Sequence, residues 1–276
     1  MLIDSFTPDW LDDLDARAEA YERSGQTLLL LDGAFIPGIH NRIAKALPAD
    51  EQLNFLFQPL PGWRDAVRDV SPFIFQFDRT NSWLKRVLNE CSGWPMITAI
   101  ETHEPMDAFS QRLSRWCVVQ AAGQYINLRF PDTRRLADIY RVMTDDQRAD
   151  LFGPSEHCAY INREGMWAHI RLKNEALPQN LQPELTADQF NELLNCSEGD
   201  SLLAQLDWHL TNATGVTRST QYRTVCTAIV FGKSQNLDRN DLFRWCDFNL
   251  KHVSSKHDLP HLFATWQAEK TSNQVG

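Results

Sequence analysis

The chain has 276 residues, of which 43% are hydrophobic and 23% are charged, a composition typical of an ordinary soluble globular protein. Its formal net charge of −9 argues against nucleic acid or an anionic membrane as the main partner, because both attract basic surfaces. No apolar run approaches the roughly 18 residues of a membrane span. The first residues lack the basic and apolar regions of a signal peptide, so we expect a cytoplasmic protein.

The cysteines support the same expectation. The chain has 6 of them, scattered without any Cys-x-x-Cys pair, and most fall on apolar periodic positions. We therefore predict small, reduced core residues rather than disulfides or metal ligands. They are Cys91, Cys117, Cys158, Cys196, Cys226 and Cys246.

The first part of the chain mixes predicted helices and strands. The continuous apolar run Leu28–Leu31 predicts a strand covered on both faces. Alternating phenylalanines over Phe73–Phe77 predict another strand. Two hairpins are predicted, with strands 116–120 and 124–130 turning at Ala122–Gly123 and a second pair turning at 162–165. This pattern predicts an α/β lobe with a mixed sheet.

The segment from Tyr125 to Pro154 carries strong local signals. A strand is followed by a polar break and by a helix whose apolar residues recur on one face. Thr144 and Gln147 then form a capping box, in which each side chain covers the other residue's free backbone N–H. Gly153 and Pro154 end the second helix, so the segment predicts two short helices attached to one strand.

Residues 173–183 are polar, contain two prolines and are predicted to form a linker. Beyond them the pattern is helical, starting with a second capping box at Thr186 and Gln189. Apolar residues then recur at helical spacing in several stretches. We therefore predict an α/β domain over residues 1–175 and an all-α C-terminal lobe over residues 184–270.

Asp32 is the residue that most resembles a catalytic nucleophile. It follows four leucines, a pattern similar to the first motif of haloacid-dehalogenase-type phosphotransferases, whose strand-end aspartate attacks phosphorus. That chemistry needs a second carboxylate two residues later, where this chain has Ala34. The alternative is a turn aspartate that caps the next segment.

Arg129, Asp132 and Arg134 form a compact charged cluster after the predicted strand. Arginine suits bidentate pairing with carboxylates, so one interpretation is a polar contact site for a protein partner. The other is an intramolecular Asp–Arg bridge that holds the turn.

The chain has 9 tryptophans, and tryptophan is among the residue types that most often carry interface energy. Core periodicity does not account for all of them, and Trp208 lies off the neighbouring leucine stripe. We predict Trp208, Trp245 and Trp266 as partner-binding residues of the helical lobe, with core packing as the alternative for each.

Other catalytic motifs are absent from the sequence, including Gly-x-Ser-x-Gly, Walker A, His-Glu-x-x-His and Gly-x-Gly-x-x-Gly. His257 and His261 are four residues apart and could in principle hold a metal from one helical face. Pro260 lies between them, so they straddle a predicted helix start and a surface or capping role is expected. We predict no metal and no cofactor.

An ordered set of motifs over residues 26–155 resembles a known family. The set comprises Leu28–Leu31, Asp32–Ala34, Ile36–Gly38, Leu128–Phe130 with Asp132 and Arg134, Thr144 with Gln147, and Leu151–Pro154. It is similar to the type VI secretion effector-chaperone family, also called adaptor proteins, first described as a domain of unknown function. That family usually has an aromatic residue and then Asp-Pro-Arg after the Arg-Phe pair, and here Pro131–Arg134 fills that place.

The resemblance implies a non-catalytic chaperone or adaptor that binds a cognate type VI effector protein. It implies that the protein keeps apolar or disordered effector segments in solution and helps load the effector onto the valine-glycine repeat spike protein, a second partner. Two other classes stay open. One is a phosphotransferase-like enzyme that uses Asp32, and the other is a general scaffold unrelated to secretion.

Overall fold

The computed structural model describes residues 1–48, 53–173, 182–210, 215–253 and 258–272, with only the backbone described for 207–210. The chain divides into two compact units, Met1–Leu193 and Leu194–Gly276. Within the described residues, no helix combines the length and the hydrophobicity needed to cross a membrane.

Helices and strands are interspersed along the first unit. In chain order they are α1 (Trp10–Tyr21), β1 (Gln26–Asp32), a 3-10 turn (Gly33–Phe35), α2 (Ile39–Ala46), β2 (Asn54–Phe55), α3 (Asp65–Arg68), β3 (Pro72–Gln76), α4 (Ser82–Asn89), β4 (Ile97–Thr102), α5 (Met106–Cys117), β5 (Val118–Ala121), β6 (Gln124–Asn127), α6 (Thr133–Val142), α7 (Asp145–Phe152), β7 (His157–Ile161), β8 (Trp167–Ile170) and β9 (Glu184–Leu185). The helix α8 (Ala187–Leu210) follows, and the division between the units falls inside it.

The main sheet has six strands in the order β2-β3-β1-β4-β7-β8, and its pairings are antiparallel. β1 lies inside this sheet and pairs with β3 and β4. Leu28 and Leu30 pack into the core on one face. Leu29 and Leu31 pack into the core on the other face. The prediction of a strand covered on both faces is confirmed, because alternate side chains of a strand point to opposite faces.

A second sheet has the order β6-β5-β9, with β5 antiparallel to β6 and parallel to β9. The predicted hairpin at Ala122–Gly123 is confirmed. Trp116 and Cys117, expected at the start of its first strand, instead end α5, where they continue the apolar face of Phe109 and Leu113. Sheets, surrounding helices and the helical C-terminal part together confirm the mixed α/β fold class.

Two capping boxes join the start of α8 to α7 within the first unit. Thr144 caps α7 with Gln147, and Thr186 and Gln189 make the same pair of hydrogen bonds at α8. The two glutamine side chains also bond to each other, at 2.7 Å from Nε2 of Gln189 to Oε1 of Gln147. The boundary between the compact units follows Leu193. The predicted linker is at 173–183 instead, and 174–181 lie outside the described residues.

The second unit contains the rest of α8 with α9 (Arg218–Ser234), α10 (Arg239–Lys251) and α11 (Leu259–Ser272). Its core is built from apolar side chains on these helices, with Trp245 fully buried. Cys91, Cys117, Cys158 and Cys246 are buried free thiols, in agreement with the predicted packing role. Cys196 and Cys226 are half-buried.

Candidate protein-interaction surface

Asp32 ends β1 with its carboxylate buried and engaged. The side chain is 3% exposed, and Oδ1 accepts the backbone N–H of Ala34 at 3.1 Å. Oδ2 accepts a hydrogen bond from Nη2 of Arg129 at 3.0 Å. Burial raises the pKa of Asp32 above its ordinary value, and the Arg129 guanidinium opposes that rise. Oδ1 thus caps the turn after β1, as the turn interpretation predicts, whereas Oδ2 ties this turn to the distant Arg129.

Arg129 reaches Asp32 from a strained backbone position. Its φ is +53°, in the left-handed region that residues other than glycine seldom adopt. The side chain of Asn127 supports this conformation by accepting the backbone N–H of Arg129 at 3.0 Å. The arginine side chain remains 46% exposed, so only part of its guanidinium is used by the ion pair.

Asp132 and Arg134 confirm the intramolecular bridge. Asp132 is the N-cap of α6 and accepts the backbone N–H of Arg134 at 3.1 Å. The Arg134 guanidinium also binds both Asp132 oxygens, at 3.0 Å through Nε and 2.7 Å through Nη2. Asp132 is 2% exposed, so its carboxylate has little surface to offer a partner.

Both guanidiniums lie over one aromatic ring. The Arg129 and Arg134 guanidinium carbons are 5.4 and 5.7 Å from the centroid of Phe35. Phe35 in turn stacks on Trp94 at a centroid separation of 6.2 Å. We call Asp32, Phe35, Arg129, Asp132 and Arg134 the arginine–aromatic cluster.

The hairpin that precedes this cluster exposes an aromatic side chain at the edge of a sheet. Tyr125 on β6 is 79% exposed, and Val118 on β5 is 38% exposed. β6 is the outer strand of its sheet, so one side of its backbone has no partner strand among the described residues. An edge strand with an exposed aromatic residue is suited to binding an extended polypeptide.

Sequence reasoning found the charged residues of the cluster but missed Phe35, Trp94 and Tyr125. Phe35 is the last residue of the 3-10 turn that follows β1, three residues after Asp32, and no local sequence pattern indicates its contact with Arg129 and Arg134. Tyr125 was predicted only as part of a strand. Its exposure depends on which face of the hairpin packs on the core, where Val119 and Ala121 are buried.

The tryptophan assignments need correction. Trp245 is 0% exposed, its indole N–H donates to the carbonyl of Ala228 at 3.0 Å, and its ring packs on Phe263. Trp266 is 6% exposed and packs on Trp245. Both are core residues, because a side chain with almost no accessible surface cannot contact a partner. The Trp208 side chain lies outside the described residues.

The phosphotransferase alternative at Asp32 requires a second carboxylate and metal-ligating side chains nearby. Within the described ranges, no group of three or more His, Cys, Asp or Glu side chains could hold a metal ion. Position 34 is an exposed alanine, so the second carboxylate of a phosphotransferase is not supplied there. His257 lies outside the described residues, and the backbone N–H of His261 is capped by Asp258.

One comparison with known proteins gives a match. Residues 28–150 match the family model described as "Domain of unknown function (DUF4123)". The matched range begins in β1 and ends in α7, so it includes the whole arginine–aromatic cluster and the β5–β6 hairpin. No curated protein and no solved structure matches the chain.

Proposed function

We propose that this protein is a non-catalytic, cytoplasmic chaperone or adaptor that binds a type VI secretion effector and promotes its loading onto the valine-glycine repeat spike protein. The motif set over residues 26–155 supports this proposal. The match of residues 28–150 to a domain of unknown function falls on the same part of the chain.

The observation that carries the proposal is the exposed edge of β6, which bears Tyr125 and precedes Arg129. The structure ties Arg129 and Arg134 to carboxylates and stacks them on Phe35, so the strand end is held in place without a ligand. A surface that is already rigid loses less conformational entropy when a partner binds.

An effector segment would bind this surface in two ways. Its backbone would pair with the free side of β6, while its apolar side chains would cover Tyr125 and Val118. The exposed part of the Arg129 guanidinium would donate to a carboxylate or carbonyl of the effector. Burial of about 800 Å² on each partner is ordinary for such a complex.

The first test is co-expression of this chain with the large open reading frame that neighbours its gene, followed by size-exclusion chromatography. We expect the two chains to co-elute and the neighbour to be insoluble when it is expressed alone. Separate elution of two soluble chains would overturn the proposal that this chain is that protein's chaperone.

A second test locates the contact. Tyr125→Ser should reduce co-elution because it removes the most exposed aromatic side chain of the hairpin. Trp83→Ala is the matched control, since Trp83 is 57% exposed on α4, whose buried residues belong to a different core from those of β5. Equal recovery of the complex with Tyr125→Ser and with the unchanged chain would show that β6 is not the contact.

A further inference from the structure

A second open groove lies between α1 and β8. It has a volume of about 640 Å³, and its lining includes Asp9, Asp13, Ala16, Arg17 and Ala20 on the α1 side. On the sheet side it is lined by Met166, Trp167 and His169. The side chains of the two alanines are small, so an extended backbone has room to approach between the helix and the strand. We call this feature the α1–β8 groove.

The floor of the groove is the free edge of the six-stranded sheet. β8 is the last strand in the sheet order, and in the described part of the chain no strand pairs with its outer side. The N–H of Asn162 donates to the carbonyl of Met166 at 2.8 Å, so Met166 bonds inward to the β7 side. Alternation along an antiparallel pair then directs the backbone N–H and C=O groups of Trp167 and His169 outward.

The charged side chains of the groove that have no ion-pair partner among the described residues are both negative. Asp9 and Asp13 are exposed, and neither forms an ion pair with the described residues. Arg17 does not compensate them, because its guanidinium binds Glu101 at 3.1 Å and His169 at 2.7 Å. The helix wall thus offers two uncompensated carboxylates beside a row of free backbone groups.

We propose that the α1–β8 groove binds an extended basic segment of a protein partner, which adds to the sheet as a strand beside β8. Lysine or arginine side chains of that segment pair with Asp9 and Asp13, and its apolar side chains cover Met166, which is 45% exposed. This surface lies apart from β6 and does not rest on the function proposed above.

The charge of the groove selects this occupant over two others. A second copy of this chain would bring its own Asp9 and Asp13 to the same edge, where like charges repel. Residues 174–181 of this chain, which follow β8, contain Glu175 as their only charged side chain. Neither supplies the positive charge that the groove requires.

The test uses the full chain and a labelled synthetic peptide, acetyl-Lys-Val-Lys-Val-Lys-Val-Lys-amide, with fluorescence anisotropy as the readout. We expect saturable binding with a dissociation constant below about 1 mM. Asp9→Asn combined with Asp13→Asn should weaken binding by at least about fivefold, because both rim charges are lost. The matched control, Asp12→Asn with Asp146→Asn, removes two exposed charges outside the groove and should change binding by less than about twofold.

Two further peptides separate strand addition from simple charge attraction. The same peptide with alternate backbone nitrogens methylated keeps its charge but loses the hydrogen-bond donors on one side, so it should bind at least about tenfold more weakly. A Glu-Val peptide of the same length should not bind. Hydrogen exchange should slow at Trp167 and His169 when the Lys-Val peptide is added.

Several results would overturn the proposal. They are no binding of the Lys-Val peptide up to about 1 mM, equal binding of the methylated peptide, and equal weakening by the two double variants. A dimer of the unliganded chain that dissociates when the Lys-Val peptide is added would identify a second copy as the occupant and would also overturn it.

Discussion

The two compact units bury different kinds of side chain. The first unit buries the charged residues Asp32, Glu101, Arg112, Asp132 and Asp150. Among the described residues of the second unit, the buried side chains are apolar or uncharged, and its polar ones are Ser219, Gln221 and Asn249. The first unit therefore combines its apolar cores with paired buried charges, whereas the second is held together mainly by its apolar core.

Substitutions should therefore destabilise the two units for different physical reasons. A buried charge that loses its partner keeps its desolvation cost, so breaking one pair in the first unit is costly even without a cavity. In the second unit, the cost of a substitution should follow the volume removed from the core. Single substitutions in each unit should separate these two kinds of loss.

Trp245→Ala should be the most destabilising change, at about 4 kcal/mol, because it opens a large cavity among tightly packed aromatic rings. Hydrogen exchange measured by mass spectrometry should show the loss in α9 and α10. Trp83→Ala, on an exposed aromatic residue of the first unit, should cost less than about 0.5 kcal/mol. A loss below about 1 kcal/mol for Trp245→Ala would contradict a core whose stability comes from packing.

Arg112→Met should cost about 3 kcal/mol, because it removes one side of a buried polar network. Arg112 is 7% exposed, pairs with Glu104 and donates to the carbonyls of Asp150 and Leu151 at 3.0 and 2.6 Å. Its guanidinium also fills the space beside Gly153, where an added Cβ would meet it at 2.5 Å.

The companion variant combines Arg112→Met with Glu104→Gln and should recover part of the loss, because the carboxylate is no longer left unpaired. Urea unfolding followed by circular dichroism measures both changes. If the double variant is as unstable as the sum of the two single variants, the cost lies in lost packing rather than in an unpaired charge.

Gln189→Ala should cost about 1 to 2 kcal/mol, because it removes the side chain that accepts the backbone N–H of Thr186 in the capping box and that bonds to Gln147. Gln147→Ala should cost a similar amount, since it also loses the 2.6 Å bond to the carbonyl of Glu184. A double-mutant cycle by urea unfolding should show coupling of at least about 0.5 kcal/mol. Additive losses would mean that the two boxes act independently.

The smallest effect should be a loss of stability in mild acid. Burial, and next the Arg17 guanidinium, lower the pKa of His169 in the folded chain. The unfolded chain then binds more protons as the pH falls, so stability should decrease between about pH 7.5 and about 5.5. The contribution should stay below about 1 kcal/mol because His169 is exposed.

His169→Gln tests that assignment, because its amide oxygen can still accept a hydrogen bond from Arg17 but cannot titrate. The slope of stability against pH should become shallower over the same interval in thermal or urea unfolding. An unchanged slope would assign the acid sensitivity to other groups.

Local features of the fold could be predicted from the sequence. The capping box of Thr144 and Gln147, the hairpin turn at Ala122–Gly123 and the doubly covered strand Leu28–Leu31 are all confirmed. Each depends on residues a few positions apart, whose backbone geometry is set by the chain itself. The pairing of Asp132 with Arg134 could be predicted in the same way, since the two residues are two positions apart.

The pairing of Asp32 with Arg129 could not be predicted in this way. Asp32 and Arg129 are 97 positions apart in the chain, and no local pattern indicates that they meet. The burial of individual side chains could not be predicted from local patterns either. Trp245 and Tyr125 are both aromatic residues in regular elements, yet Trp245 is fully buried and Tyr125 is 79% exposed.

Local sequence patterns were sufficient to place most of the helices, turns and caps of this protein, because these arise from interactions between near neighbours in the chain. The tertiary structure alone decided that Arg129 pairs with Asp32 and that Trp245 and Trp266 are core residues. It also decided that β6 and β8 are outer strands of their sheets in the described part of the chain. Those outcomes depend on which elements pack together. The free energy of that packing is summed over contacts between residues far apart in the chain.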